Sequence, residues 1–165
     1  MHPMSYLEMS KLIAKYCINW GKEHTVYDIG ACDVNGTYKP LLEHCTYIGV
    51  DIEAGKNVDI VMVDEFNTGI ASNSADLVVS GQCYEHCNNP FKLTREIYRI
   101  TKKGGLFFLI APFVFGEHKF PIDCFRYLPD GYKSLHFDAG FTTLEAFLTG
   151  VDNIGSVDCV GAAIK

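Results

Sequence analysis

Thr25-Val26-Tyr27-Asp28-Ile29-Gly30-Ala31-Cys32-Asp33-Val34-Asn35-Gly36 is the stretch on which the fold turns. Residues 25–29 form a short run of β-favouring residues, and the run ends abruptly in a loop bounded by Gly30 and Gly36. Glycine permits a tight turn and lets the backbone approach a ligand closely, and a helix N-terminus beyond such a turn offers unpaired N–H groups to an anion. A helical patch over Tyr38 to His44 and a second β-rich run over Thr46 to Ile52 follow. A strand, a glycine turn, a helix and another strand together read as the first unit of a parallel sheet.

The same rhythm extends along the chain. Val58 to Val63 and Ala75 to Ser80 read as a third and a fourth strand, and Pro90 to Lys102 as a helix closed by Lys103-Gly104-Gly105. Leu106 to Ala111 is apolar throughout, as a strand covered on both faces should be. Before the first strand, Leu7, Met9, Leu12, Ile13, Tyr16, Cys17 and Trp20 recur at helical spacing over Ser5 to Trp20, with Ser5 and Glu8 placed as a capping box. The tail departs from the alternation: Phe141 to Phe147 and Asp158 to Ile164 are strand-like and read as a closing antiparallel hairpin. The expected architecture is α/β, a doubly wound and mostly parallel sheet.

The chain of 165 residues is read as one domain, 1–165. Its 14 Lys plus Arg against 20 Asp plus Glu give a net charge of −6, which argues against nucleic acid as a partner, since phosphate neutralisation dominates that affinity. Seven scattered cysteines, an odd number, suit reduced thiols in the cytoplasm, and neither a signal peptide nor a membrane span is legible.

Ligands of such sheets bind beyond the carboxyl ends of the strands. Asp51 stands 21 residues after Gly30, where an acid accepts both hydroxyls of a ribose, so the two residues together point to an adenosine-type ligand. Asp64-Glu65-Phe66 follows the third strand and reads either as an adenine contact, with Phe66 on the ring, or as a solvated loop. Gly-x-Gly-x-x-Gly is incomplete, with Cys32 in the middle glycine's place, so a dinucleotide pyrophosphate would be held poorly. Two further clusters carry acid–base chemistry: Tyr84-Glu85-His86 after the fourth strand, and His118, Asp123 and Arg126 after the fifth. Arg126 is read as pairing with Asp123 or clamping an anionic acceptor. Cys83, His86, Cys87 and Cys124 lack metal-site spacing, so no metal is expected.

Val26-Tyr27-Asp28-Ile29-Gly30, Gly49-Val50-Asp51-Ile52, Ala75-Asp76-Leu77-Val78-Val79-Ser80 and Ile100-Thr101-Lys102-Lys103-Gly104-Gly105-Leu106 resemble the successive motifs of class I S-adenosylmethionine-dependent methyltransferases, nearest the methyltransferase type 11 group. The resemblance covers roughly residues 20–165 and departs from the usual Gly-x-Gly-x-Gly core. It implies a three-layer Rossmann-like fold with strand order 3-2-1-4-5-7-6. It also implies that Gly30, Ala31, Cys32 and Gly36 face the methionine moiety and that Asp28 braces their loop. Asp51 would hold the ribose, Ile52 flank the adenine, Asp64 and Glu65 reach its amino group, and Ser80, Gly81 and Gln82 lie beneath the sulfonium.

Methyl transfer requires alignment and exclusion of water, with a base only where the acceptor carries a proton. His86, His118 and Asp123 are the candidate catalytic groups, and Tyr84, His118 and Arg126 the candidate substrate contacts. The expected acceptor is a small or sugar-containing molecule, and S-adenosylhomocysteine the product. Residues 1–20 and 113–132 are expected to cover the site, completed by a second copy or a protein partner. The rival readings are a non-catalytic cofactor-binding module, an enzyme that cleaves the cofactor, and a nicotinamide-linked enzyme.

Overall fold

A computed structural model describes residues 3–165. Seven strands form one sheet in the order β3-β2-β1-β4-β5-β7-β6. They are β1 (Thr25–Ile29), β2 (Thr46–Asp51), β3 (Ile60–Val61), β4 (Ala75–Gly81), β5 (Thr101–Val114), β6 (Thr142–Leu148) and β7 (Val157–Ile164). β1 to β5 pair in parallel, and β7 runs antiparallel between β5 and β6. The expected order and closing hairpin are both present.

Alternation along the central strands builds two cores, one on each face of the sheet. Val26, Leu77, Val79, Phe108 and Ile110 pack against Met9, Leu12 and Ile13 of α1 (Pro3–Tyr16) and Leu42 of α2 (Lys39–Leu42). Tyr27, Ile29, Val78, Phe107 and Leu109 face the other way, onto Leu93 and Ile97 of α3 (Pro90–Ile100) and Tyr132 and Leu135 of α4 (Pro129–Ala139). Leu106 to Ala111 are buried at every position, as the doubly covered strand requires.

Several boundaries differ from the sequence reading. α1 already begins at Pro3, so Ser5 and Glu8 lie inside it rather than capping it. Ser5 Oγ shares a 2.6 Å hydrogen bond with the Tyr38 hydroxyl, and Glu8 pairs with Lys11 at 2.7 Å. Residues 1–2 of the expected cover helix lie outside the described residues, and the buried stripe of α1 makes it a layer of the fold. α3 starts where Asn89 accepts the Lys92 N–H at 3.1 Å, with Pro90 at the first turn, and stops at Ile100. Lys103-Gly104-Gly105 is therefore strand, not cap: Thr101 already pairs with Ala75, and the Gly104 N–H donates to the Lys165 carbonyl at 2.8 Å. α4, which the sequence reading does not include, follows directly on Leu128 with Pro129 in its first turn, and it ends on Gly140 at φ +102°.

Candidate functional site

Both candidate clusters lie at the carboxyl edge of the central strands. Gly30 adopts φ +83°, and a side chain there would meet Cys83 Sγ at 2.6 Å, so the turn after β1 lies directly against the turn after β4. The Gly30 and Ala31 N–H groups both donate to the Val50 carbonyl, at 2.9 and 3.1 Å. Asp51, half-buried at the end of β2, accepts the Cys32 N–H at 2.9 Å on one oxygen and the Ile52 N–H at 2.7 Å on the other. One carboxylate thus joins the loops after β1 and β2, and each of its oxygens keeps a further acceptor position.

Beneath this junction Asp28 is 3% exposed and accepts the Tyr47 hydroxyl hydrogen at 2.6 Å. Burial lifts its carboxyl to about 7, the Tyr47 bond opposing and the neighbouring Asp51 adding to the shift. Asn57 ties the layer together, its amide donating to the Ala31 carbonyl, Thr37 Oγ1 and the Tyr47 hydroxyl at 2.9–3.1 Å. Ser80 donates to the Ile29 carbonyl at 2.8 Å, fixing β4 to β1 at the site. Gly81 admits the Tyr38 ring, which any larger residue at 81 would strike. Gln82 turns at φ +55°, and its buried Nε2 has no hydrogen-bond partner.

Three candidates stand further out. Gly36, at φ +122°, is exposed and donates to Asp33 Oδ1 at 2.8 Å. Asp64 and Glu65 are exposed after β3, Asp64 accepting the Phe66 N–H at 2.8 Å and Glu65 the Asn88 amide at 3.1 Å. Phe66 is half-buried on the core with Lys92 over its ring at 5.4 Å.

The second cluster forms where residues 115–128 fold back over a 3₁₀ turn, Tyr84–His86. The Glu85 carbonyl accepts the N–H groups of Cys124 and Phe125 at 2.6 and 3.2 Å, and His86 Nδ1 lies 2.6 Å from the Ile122 carbonyl oxygen. A carbonyl only accepts, so His86 carries its proton on Nδ1 and presents a lone pair at Nε2. Burial lowers the affinity of His86 for a second proton. His118 has the same tautomer, its Nδ1 being 3.0 Å from the Gly116 carbonyl oxygen. Both Nε2 atoms lie 3.8 Å from Glu85 Oε1, and the rings meet edge to face at 4.9 Å. The Glu85 carboxyl is wholly buried and pushed up to about 7, chiefly by desolvation.

Three expectations at this cluster are corrected. Tyr84 is fully buried against Phe107 and Tyr127 with its hydroxyl 3.0 Å from Thr94 Oγ1, out of reach of any substrate. Asp123 is held far below the usual carboxylate range by Arg126, which meets it at 2.6 and 2.8 Å, and it also accepts the His118 N–H; this geometry makes it an anchor of the segment. For Arg126 the expected pairing with Asp123 is present, and the anion-clamp alternative is the one corrected, because the remaining guanidinium contacts go to the carbonyls of Phe115, Gly116 and Phe125. Of the expected segment 113–132, only 115–128 is outside regular structure, because residues 113–114 end β5 and residues 129–132 enter α4 and bury Tyr132. Glu85, named in the sequence only as a neighbour of His86, is the residue on which the two histidines converge.

Sheet order and site location define a Rossmann-like methyltransferase fold. A family model described as a methyltransferase domain matches residues 27–109, half of the chain, from β1 into β5. The chain belongs to that family, the class I S-adenosylmethionine-dependent methyltransferases, whose cofactor is S-adenosylmethionine. No curated protein matches it. Among solved structures it is similar to a SAM-dependent methyltransferase from Aquifex aeolicus, with 17% identity, all of both chains covered and a TM-score of 0.69. It is also similar to the 1,6-didemethyltoxoflavin-N1-methyltransferase of Burkholderia thailandensis, solved with 1,6-didemethyltoxoflavin and S-adenosylhomocysteine, at 14% identity over 98% of this chain and 78% of that one, TM-score 0.77. Phosphoethanolamine N-methyltransferase 2 of Haemonchus contortus, solved with S-adenosyl-L-methionine, shares 16% identity over 96% of this chain and 52% of that one, TM-score 0.70. Among the described residues no helix is long and apolar enough to cross a membrane.

Proposed function

We propose that this chain transfers the methyl group of S-adenosylmethionine to a small or sugar-containing acceptor, releasing S-adenosylhomocysteine. The observation that carries the reading is Asp51, whose carboxylate joins the loops after β1 and β2 and retains acceptor capacity for two ribose hydroxyls. Ile52, 47% exposed beside it, offers an apolar flank for adenine, and Asp64 and Glu65 supply acceptors for the amino group. The turn from Gly30 through Cys32 to Gly36 takes the methionine moiety, and Ser80, Gly81 and Gln82 form the floor, where the unpartnered Gln82 amide supports the presence of a ligand. The cofactor supplies an activated methyl group on a cationic sulfonium.

The chain's own part is to align the acceptor and exclude water. His118, 35% exposed on its side chain, is the group able to take a proton at Nε2 while that nitrogen is free of any metal, with Asp123 accepting its backbone N–H and the Gly116 carbonyl holding Nδ1; His86 stands behind it. The small acceptor is favoured by the net charge of −6. Exposed Phe120, Phe125 and Leu128 on the cover support closure by a second copy or a partner protein. Seven cysteines, all free, support a reducing compartment such as the cytoplasm.

Calorimetric titration with S-adenosylmethionine, S-adenosylhomocysteine and NAD tests the cofactor assignment. Binding of the first two without NAD is expected, and NAD binding alone would overturn it. Accumulation of S-adenosylhomocysteine only when an acceptor is supplied separates transfer from a non-catalytic module and from cofactor cleavage.

A further inference from the structure

Glu85, His86 and His118 each offer a ligand atom within 4.8 Å of the other two, and the Nε2 atoms of both histidines lie 3.8 Å from Glu85 Oε1. Each is an acceptor. Both imidazoles have committed their N–H to backbone carbonyls, Ile122 for His86 and Gly116 for His118. Neither Glu85 oxygen has a hydrogen-bond partner, although the side chain is wholly buried. Three acceptor groups, one of them a buried carboxylate, with no donor among them within hydrogen-bond distance of it, form an arrangement that a bound cation would satisfy.

We infer that Glu85, His86 and His118 are the protein ligands of a divalent transition-metal ion, a two-histidine, one-carboxylate set of the kind that binds zinc or iron(II). Two imidazoles and one carboxylate are a three-ligand set of the kind that leaves a zinc coordination position open. Ligand atoms about 2.0–2.2 Å from one tetrahedral ion lie about 3.3–3.5 Å apart. The two Nε2 to Oε1 separations of 3.8 Å therefore need to close by only a few tenths of an ångström. The surroundings suit ligation as well: each imidazole donates its other N–H to a carbonyl, and Asp123, gripped by Arg126, lies 3.7 Å from His118 Nδ1. Outer partners of this kind fix ring orientation and tautomer in metal sites. His118, its side chain 35% exposed, is the most accessible of the three groups, and the Phe115 ring packs on it at 4.8 Å. No thiol takes part, which is why the cysteine spacing gave no sign of it.

The purified chain, stripped with a chelator and desalted, is titrated with Zn²⁺ by calorimetry and with Co²⁺ by visible absorption. One ion per chain is expected, with the intense d–d bands of low-coordinate cobalt and no thiolate charge-transfer band. Since changes to outer partners already cost about 10–100-fold in affinity, His118→Ala should weaken binding by more than about 100-fold. His118 is partly exposed, so this variant should keep the wild-type circular dichroism; Glu85→Gln, a buried change, is the second test, and its folding is checked the same way. Absence of binding, binding unmoved by His118→Ala, or a thiolate band would each overturn the inference. Titrating the stripped protein with S-adenosylmethionine is a separate readout, so failure of the metal site and failure of the cofactor assignment are distinguishable.

Discussion

Asp28 should make the protein less stable as pH rises through the range where most acidic proteins gain stability. Its carboxyl is 3% exposed and lifted from an ordinary 3.8 to about 7, by burial first. Between those two values the folded state holds a proton that the unfolded chain has released, so stability falls as pH increases and the loss is complete above about 7. The gap corresponds to about 4 kcal/mol, a ceiling set by full burial with only the Tyr47 hydroxyl as partner. Asp28→Asn removes the charge while its carbonyl oxygen still accepts the Tyr47 hydrogen. Urea unfolding of wild type and variant at intervals from pH 4 to pH 8.5 reads the effect as a difference. The variant should gain on the wild type by about 2–4 kcal/mol over that range, with the change centred between about pH 4 and 7. A difference that stays constant with pH would refute the reasoning, since it would mean that Asp28 ionises as easily folded as unfolded. Taking the difference also cancels Glu85, which is shifted in the same direction.

Asp51→Ala should weaken S-adenosylmethionine binding by about 1–3 kcal/mol, roughly 5- to 150-fold, measured by calorimetry, and unchanged affinity would remove Asp51 from the site. His136 should act in the sense opposite to Asp28. Buried among Phe107, Tyr132 and Phe141, it is lowered to about 4, so the folded state refuses a proton that the unfolded chain accepts below 6.5, and stability falls by up to about 3 kcal/mol as pH drops from there. His136→Phe, with a ring of matching shape, should flatten the acid limb of the stability profile; an unaltered limb would assign the acid sensitivity to other groups.

The parts of the fold that were legible in the sequence are those in which local pattern and burial agree. Leu106 to Ala111 is apolar throughout because both faces are covered, and Gly30 marks a turn because the backbone there takes φ +83° against Cys83. Legibility failed where tertiary contacts override local chemistry. Lys103-Gly104-Gly105 has the composition of a helix cap, yet the pairing of Thr101 with Ala75 draws it into β5. Ser5 and Glu8 have the spacing of a capping box, yet helix formation begins before them and Ser5 is recruited by Tyr38. Pro129-Asp130-Gly131 has the composition of a turn, but Tyr132, Leu135 and His136 behind it are buried and hold the segment as α4.

The two halves of the site differ in the same way, and the difference has a physical origin. Asp51 lies on the edge of a regular sheet, where a fixed count of residues from Gly30 translates into a fixed position, so spacing alone points to it. The convergence of Glu85, His86 and His118 depends on an irregular segment whose path is set by Arg126 holding Asp123 and three carbonyls, and by the Glu85 carbonyl receiving Cys124 and Phe125. No periodicity encodes such a path, so the sequence offered His86 and His118 as alternative bases and left Arg126 open between pairing with Asp123, which it does, and clamping an anion. With its guanidinium spent on Asp123 and the backbone, Arg126 holds residues 115–128 as a strap folded over the 3₁₀ turn at Tyr84–His86. What that strap brings to the end of β4 is a second imidazole on a carboxylate that has no other partner.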